Sequence, residues 1–436
     1  MTECTQTSFL FPAFKSRRIE ARFDGGSITS DGGSVLLRQA DRRMGLTRQL
    51  SSALDDPRRR ASCEHSLREL LSQRIYGLCL GYEDLNDHNT LRHDLALQTA
   101  VDRDRDLSSA STLCRLENSM GKDAAWRMNE LLVEMFIKSF TETPEELILD
   151  FDATDDRVHG NQEGRQFHGY YDHYCFLPLY VFCGEHLLVS YLRPSRIDGA
   201  KHALPILKLL VDRLRQEWPQ VRIVMRADSG FCRWRTMSWC ERHDVKYLLG
   251  LAKNKRINAL GEPWISKAQA QFLETGEKQR LFGRVAYAAG TWDRKRRVVV
   301  KAEHGTLGPN PRYVVTNLKG ASRELYEHYC QRGDMENRIK EQQLDLFSDR
   351  TSAHKWWTNQ FRMLLSAYAY VLMHTIRRLG LQGTELARAQ CNTIRLKLLK
   401  IGAVITRNTR RVRLHLATAC PHQDLFWLVA ERLAPS

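Results

Sequence analysis

The sequence predicts an α/β fold: a mixed sheet with the element order β-β-β-α-β-α-β, interrupted by a β-rich insertion and preceded by a mainly helical, arginine-rich region. Three observations predict it. Short apolar runs separated by turn-like stretches begin after Glu146, as strands do. The segment "VRIVMRADSGF" is almost wholly apolar until its end, the composition of a strand covered on both faces. The chain of 436 residues also exceeds what one hydrophobic core usually holds, so two or three domains are expected.

The first 140 residues read as arginine-rich helices and loops. "FDGGSITSDGGSVLLRQADRRMGL" carries two Asp-Gly-Gly turns, with Asp31 as the expected N-cap of a helix through Val35 and Leu36. The paired glycines match neither nucleotide-binding fingerprint, so turn chemistry is the expected reason for them. "DPRRRAS" leads into the helix "CEHSLRELLSQRIYGLCL". Residues 141–253 then give strands at Leu147–Ala153, Tyr174–Phe182 and His186–Leu192. An amphipathic helix ("DGAKHALPILKLLVDRLRQEW"), the apolar strand, a helix at 233–243 and a strand at 246–251 follow. This is the order of the ribonuclease H-like fold. Residues 254–318 alternate like antiparallel strands and predict an inserted β-rich subdomain. Residues 319–380 return to helix, including an apolar one, "KWWTNQFRMLLSAYAYVLMHTIRRL". Residues 381–436 form a basic C-terminal region with a hairpin expected to turn at Asn408.

Lysine and arginine total 66 against 51 acidic residues, a formal net charge of +15. Such an excess attracts polyanions, nucleic acid foremost. Arg58, Arg59 and Arg60 are candidates to meet phosphates, against the plainer reading of solvated arginines. The 11 cysteines show no C-x-x-C spacing, which argues against a zinc ribbon or redox motif and for a reducing compartment. No export signal and no run of the roughly 20 apolar residues that span a bilayer is present. A cytoplasmic protein without membrane partners is expected.

Against this basic background the acids concentrate in "LILDFDATDD", Leu147 to Asp156. Asp150 and Asp152 lie two apart, so a strand points both to one face. Like charges there repel unless a cation sits between them, and either aspartate is open as the first ligand. Asp155 and Asp156 fall past the strand end and read as solvated loop acids. Asp228 stands where "VMRADSGF" leaves its strand, the end at which open α/β sheets gather ligands, although a turn aspartate is common there. Glu336 shares a helix side with Tyr329, Arg332, Ile339, Lys340 and Gln343 at offsets of three and four. Carboxylates at strand ends and on a helix suit hard divalent cations, and a pair of Mg²⁺ ions can activate and steady the oxygens of an in-line displacement at phosphorus. His159, His168 and His173 are too irregularly spaced to favour a transition-metal site.

"LDFDATDD", "RADSGF" and "YCQRGDMENRIKE" together resemble the DDE transposases of bacterial insertion sequences, in particular the group-one transposase DDE domain with a β-strand insertion before the catalytic glutamate. "FDGGSITSDGGSVLLRQAD" and "HGNQEGRQFHGYYDHYCFLPLYVF" extend the resemblance over most of the chain. The resemblance implies Asp152, Asp228 and Glu336 as catalytic, metal-holding residues, with Mg²⁺ as cofactor and Mn²⁺ as a possible substitute. Its signature of Tyr, Arg, Glu and Lys matches Tyr329, Arg332 and Glu336, which would grip DNA; Gln343 takes the lysine position, with Lys340 one turn earlier. It further implies double-stranded DNA partners, terminal inverted repeats and target, and a homodimer in the DNA complex. The element end would be cleaved and its 3′-hydroxyl joined to target DNA. Trp292, in "TWDRKRR", is the expected aromatic for stacking on a displaced base. Two other readings share the carboxylates: a ribonuclease H-like nuclease without strand transfer, and a transposase-derived DNA-binding repressor, which the intact acidic triad disfavours.

Overall fold

Alternate residues of Glu146–Ala153 (β1) enter different layers. Leu147, Leu149 and Phe151 pack into a large apolar cluster, whereas Ile148 joins a smaller one on the opposite face. This is the period-two consequence of an extended backbone. Leu179–Cys183 (β2) and His186–Tyr191 (β3) follow as a hairpin, then Ala203–Glu217 (α1), Arg222–Ala227 (β4), Trp234–Arg242 (α2) and Lys246–Leu251 (β5). β4 lies between β1 and β5 and is parallel to both; β2 is antiparallel to β1, and β3 to β2. The chain thus has the ribonuclease H-like arrangement. Helices α1 and α2 cover the face carrying Leu149 and Met225.

The computed structural model describes residues 8–59 and 63–434. Arg60 lies outside them.

The insertion at 254–318 carries the expected strands, preceded by helix. It begins with a 21-residue helix, Lys255–Thr275 (α3), which Gly261 and Pro263 conceal in the sequence. Its strands Gln279–Tyr287 (β6), Arg296–Gly305 (β7) and Arg312–Thr316 (β8) continue the main sheet, in the order β6-β7-β8-β5-β4-β1-β2-β3. The reason is that β5 would otherwise leave a row of unpaired backbone groups. β8 pairs with it from Leu248 to Leu251, and Val299 and Val314 join Val224 and Leu248 in one apolar layer. Ser322–Cys330 (α4) covers that layer with Leu325, Tyr326 and Tyr329, and Gly333–Lys340 (α5) follows two residues later.

The described residues fall into two compact units, and the divisions differ from those expected. Helix Lys122–Ile137 goes with the sheet rather than with a 1–140 region: Phe136 meets Trp218 edge-on, and Glu134 pairs with Arg213 of α1 at 2.5 Å. Among the described residues the other unit joins those up to Ser52 and from Asp56 to Leu116 with those from Leu372 on, the basic C-terminal region included. Strand Ile28–Thr29 pairs with Ala403–Arg407, which forms the expected hairpin with Val412–Leu416. Asp31 does not cap its helix by its side chain; it is buried, accepting from Tyr82 and pairing with Lys400, each at 2.7 Å. The following glycines serve close approach: Gly32 and Gly33 donate to Ile401 and Leu399, and a Cβ on Gly33 would strike the Leu398 carbonyl. Helix Leu67–Leu80 opens on a capping box between Ser66 and Glu69.

Candidate active site

The carboxyl ends of β1 and β4 lie side by side, and each delivers an aspartate. Asp152 is the penultimate residue of β1, opposite Tyr180 of β2. Asp228 follows the last residue of β4 and turns the chain, its Oδ1 accepting from the Gly230 amide at 2.8 Å. Over these ends the α4–α5 junction brings Tyr329, Arg332 and Glu336. The expected single helix is broken there: Arg332, Asp334 and Met335 donate to carbonyls three residues back. Even so, Arg332 spans the two elements, reaching Glu336 at 2.7 Å and Asp152 at 3.8 Å. Ile339, taken as part of the polar side, is buried.

The electrostatics follow from this placement. Burial pushes the Asp152 carboxyl up to about 7; Arg332 opposes this, while the negative charges of Asp228 and Glu336 add to it. The Tyr329 phenol is raised chiefly by burial, with Arg332 lowering and Asp228 raising it. The Arg332 guanidinium titrates above its usual value: burial opposes its charge, and Asp152, Tyr329, Glu336 and Asp228 all favour it. Five side chains from two strand ends and one helical junction therefore share one electrostatic environment.

Gly250 of β5 belongs to this site and the sequence reading missed it. A Cβ there would stand 2.6 Å from the Tyr329 hydroxyl and 2.9 Å from the Ser229 amide. Only a glycine lets the phenol and the Asp228 turn settle over β5. The signal was a lone glycine inside an apolar strand, which often marks close approach of another group.

Asp150, on the same face as Asp152, has a partner of its own. It is buried and held by Arg226 of β4, directly opposite in register, at 2.5 and 2.7 Å. Arg226 also donates to the His328 carbonyl at 2.7 Å, so the pair fastens α4 to the sheet. Asp156, expected to be solvated, is buried and accepts from Thr351 at 2.8 Å. Asp155 meets His173 at 3.0 Å. Gln343 donates to the Asp155 carbonyl at 3.1 Å and so ties down the loop beyond Asp152, while Lys340 is exposed at the end of α5.

Trp292 is not brought to the carboxylates. It lies in the β6–β7 turn, beside the start of β7. Arg296 there pairs with Glu241 of α2, at the amino-terminal end of β5. Since β7 runs parallel to β5 through β8, that is the opposite end of the sheet from Asp228. Its ring packs on Tyr287 and lies under Arg296, 5.7 Å from the guanidinium carbon. In the other unit Arg58 is held by Asp56 at 2.7 Å, whereas Arg59 is exposed.

Asp152, Asp228 and Glu336 offer the hard oxygen donors a divalent cation takes, with one positive group, Arg332, already between two of them. They do not form a closed cage: among the described residues no three His, Cys, Asp or Glu side chains are gathered closely enough to hold a metal as they stand. The donor chemistry fits such an ion.

A ribonuclease H-like sheet with acids from adjacent parallel strand ends and a following helix defines the DDE class of nucleic-acid-processing enzymes. The family model described as transposase DDE domain, group 1, matches residues 11–436, and the chain belongs to that family. It is a DNA transposase, of a kind that generally uses divalent metal ions. No curated protein matches the chain. Among solved structures, the cryo-EM structure of piggyBac transposase synaptic complex with hairpin DNA aligns over 85% of this chain and 80% of that one, at 10% identity and a TM-score of 0.40. Among the described residues no helix is long and apolar enough to cross a membrane.

Proposed function

We propose that this transposase serves a bacterial insertion sequence in the cytoplasm, binding its terminal inverted repeats, cutting at their ends and joining the freed 3′-hydroxyl to target DNA. The observation that carries the reading is the meeting of Asp152, Asp228 and Glu336 around Arg332 at the strand ends. Asp152, Asp228 and Glu336 would hold Mg²⁺, or Mn²⁺ in its place. The ions supply activation of the attacking oxygen and charge stabilisation at phosphorus. The chain's own groups do the rest. Asp152, its carboxyl pushed up to about 7 chiefly by burial, would hold the ion as the ionised carboxylate. Arg332, between Asp152 and Glu336, presents its donors to a phosphate, for which a guanidinium fork is suited. Tyr329, backed by Gly250, fixes the Arg332 side of the site. Joining two ends calls for two such sites, hence a homodimer on DNA.

The test is incubation of the purified chain with labelled DNA bearing the ends of its element, with Mg²⁺ or Mn²⁺. Cleaved and joined products are expected, and Asp152→Ala, Asp228→Ala and Glu336→Ala should each abolish both. Cleavage without joining would favour a hydrolytic nuclease, and full activity in the three variants would overturn the assignment.

A further inference from the structure

Glu336 and Gln343 stand seven residues apart, two turns of a regular α-helix. The helix does not stay regular. Beyond α5 the chain widens into a single five-residue turn, Glu341–Asp345, in which the Leu346 amide donates to the Glu341 carbonyl at 3.1 Å. Such π-turns are rare and recur at functional sites. Three consecutive residues of this one are each engaged. Glu341 is buried and pairs with Arg338, which also meets Glu185 in the β2–β3 turn. Gln342 is wholly buried, and its carbonyl accepts from the Ser348 amide at 3.0 Å and the Ser366 hydroxyl at 3.3 Å. Gln343 reaches the loop after β1, its side-chain amide donating to the Asp155 carbonyl at 3.1 Å.

Asp155 is held a second time, by His173 at 3.0 Å on its carboxylate, and only Ala153 and Thr154 separate it from Asp152. The Gln343 bond thus runs from the element bearing Glu336 to the loop that carries on from Asp152. Those two carboxylates repel each other, and they stand on either side of Arg332, 2.7 Å from it at Glu336 and 3.8 Å at Asp152. Among the described residues the acids form no closed cage, so their spacing rests on the backbone elements that carry them. A cation shared by both needs them within reach. A tie between the two elements opposes the repulsion that would spread them. Position 343 is also the lysine position of the family signature. Glutamine brings no charge for a phosphate, and its amide is directed at a carbonyl of this chain.

We propose that Gln343 is a positioning residue: through the Asp155 backbone it holds Asp152 within reach of a cation shared with Glu336, and it is not a DNA contact. This rests on the metal-dependent DNA-cutting reading above. The experiment uses the full chain and its Gln343→Met variant, which keeps the length of the side chain and removes the donor. Mn²⁺ titration followed by electron paramagnetic resonance should show about fivefold to tenfold weaker binding in the variant, the scale of one hydrogen bond. Fluorescence anisotropy without metal should give both chains the same affinity for a 30-base-pair duplex. Cleavage of DNA bearing the element's end should need correspondingly more Mg²⁺ to reach half its full rate, and should return to the wild-type rate once Mg²⁺ saturates. Added metal would not repair a merely structural defect in that way. Unchanged Mn²⁺ affinity in Gln343→Met, weaker duplex binding without metal, or a cleavage loss that saturating Mg²⁺ leaves in place overturns the proposal while the wild-type cation site stands. Absence of Mn²⁺ binding by the wild-type chain would remove the shared cation, and the metal-dependent reading with it.

Discussion

Asp150 and Asp152 sit on one face of β1, and the strand period alone placed them there. Their roles diverge through partners far away in the chain. Arg226, 76 residues on, neutralises Asp150, and nothing in "LILDFDATDD" announces that arginine. Asp152, which accepts from the Ala153 amide, has Arg332 at the longer 3.8 Å as its cationic partner, while Asp228 and Glu336 face it with like charge. Burial first, and then these like charges, push its carboxyl up to about 7 against an ordinary 3.8. A carboxyl raised on folding binds its proton more tightly in the folded state. Its ionisation therefore destabilises the fold progressively as pH rises from about 4, fully so above about 7. Asp152→Asn should accordingly melt higher than the wild type at pH 8 in the presence of a chelator, and at the same temperature near pH 4. A divalent cation should raise the melting temperature of the wild type and not of the variant. Calorimetry across that range measures both, and a difference independent of pH would refute the electrostatic account.

At the level of elements, the strand order was legible because each strand advertises itself by two-sided apolar composition and each crossover by helical period. Where the insertion's strands attach was left open for a reason equally local. Antiparallel alternation tells that strands exist, not which edge receives them, and the edge was decided by β5 having no other neighbour. "VVV" at Val298–Val300, apolar on both faces, was the sign that β7 lies inside a larger sheet. The α4–α5 break was likewise hidden, because offsets of three and four look alike in a helix and in a tightened turn. What holds that junction over the strand ends is the seat of Tyr329 on Gly250. Gly250→Ala should lift the phenol and disturb the Asp228 turn, cutting DNA cleavage at least about tenfold while the chain stays folded, since misplacing reactive groups by an ångström costs on that scale. Tyr329→Phe removes the hydroxyl that the new methyl would strike. The double variant should therefore melt closer to the wild type than Gly250→Ala does, and strict additivity of the two melting shifts would count against the seat.

Across the whole molecule, a net charge of +15 predicted a polyanionic partner but not which basic groups meet it. Much of that charge is already engaged. Arg58 is held by Asp56, Arg38 and Arg42 by Asp102, Arg213 by Glu134, and Arg226 by Asp150. Arg407 is drawn to the Asp104 carbonyl and Gln98. The C-terminal hairpin is different. Asn408 accepts from the amides of Arg410 and Arg411 at 2.9 and 2.8 Å, fixing the turn, and Arg410, Arg411 and Arg413 all stand exposed beyond it. Phosphates neutralised by such groups release counterions, so the logarithm of the affinity falls with the logarithm of salt by about 0.9 per contact. Replacing Arg410, Arg411 and Arg413 together by alanine should flatten that slope by about 2 to 3, with the change appearing equally on unrelated duplex sequences. Asp152→Asn should leave the slope where it is, because its charge lies within the site. A triple variant with the wild-type slope would move the phosphate contacts to another part of the basic surface.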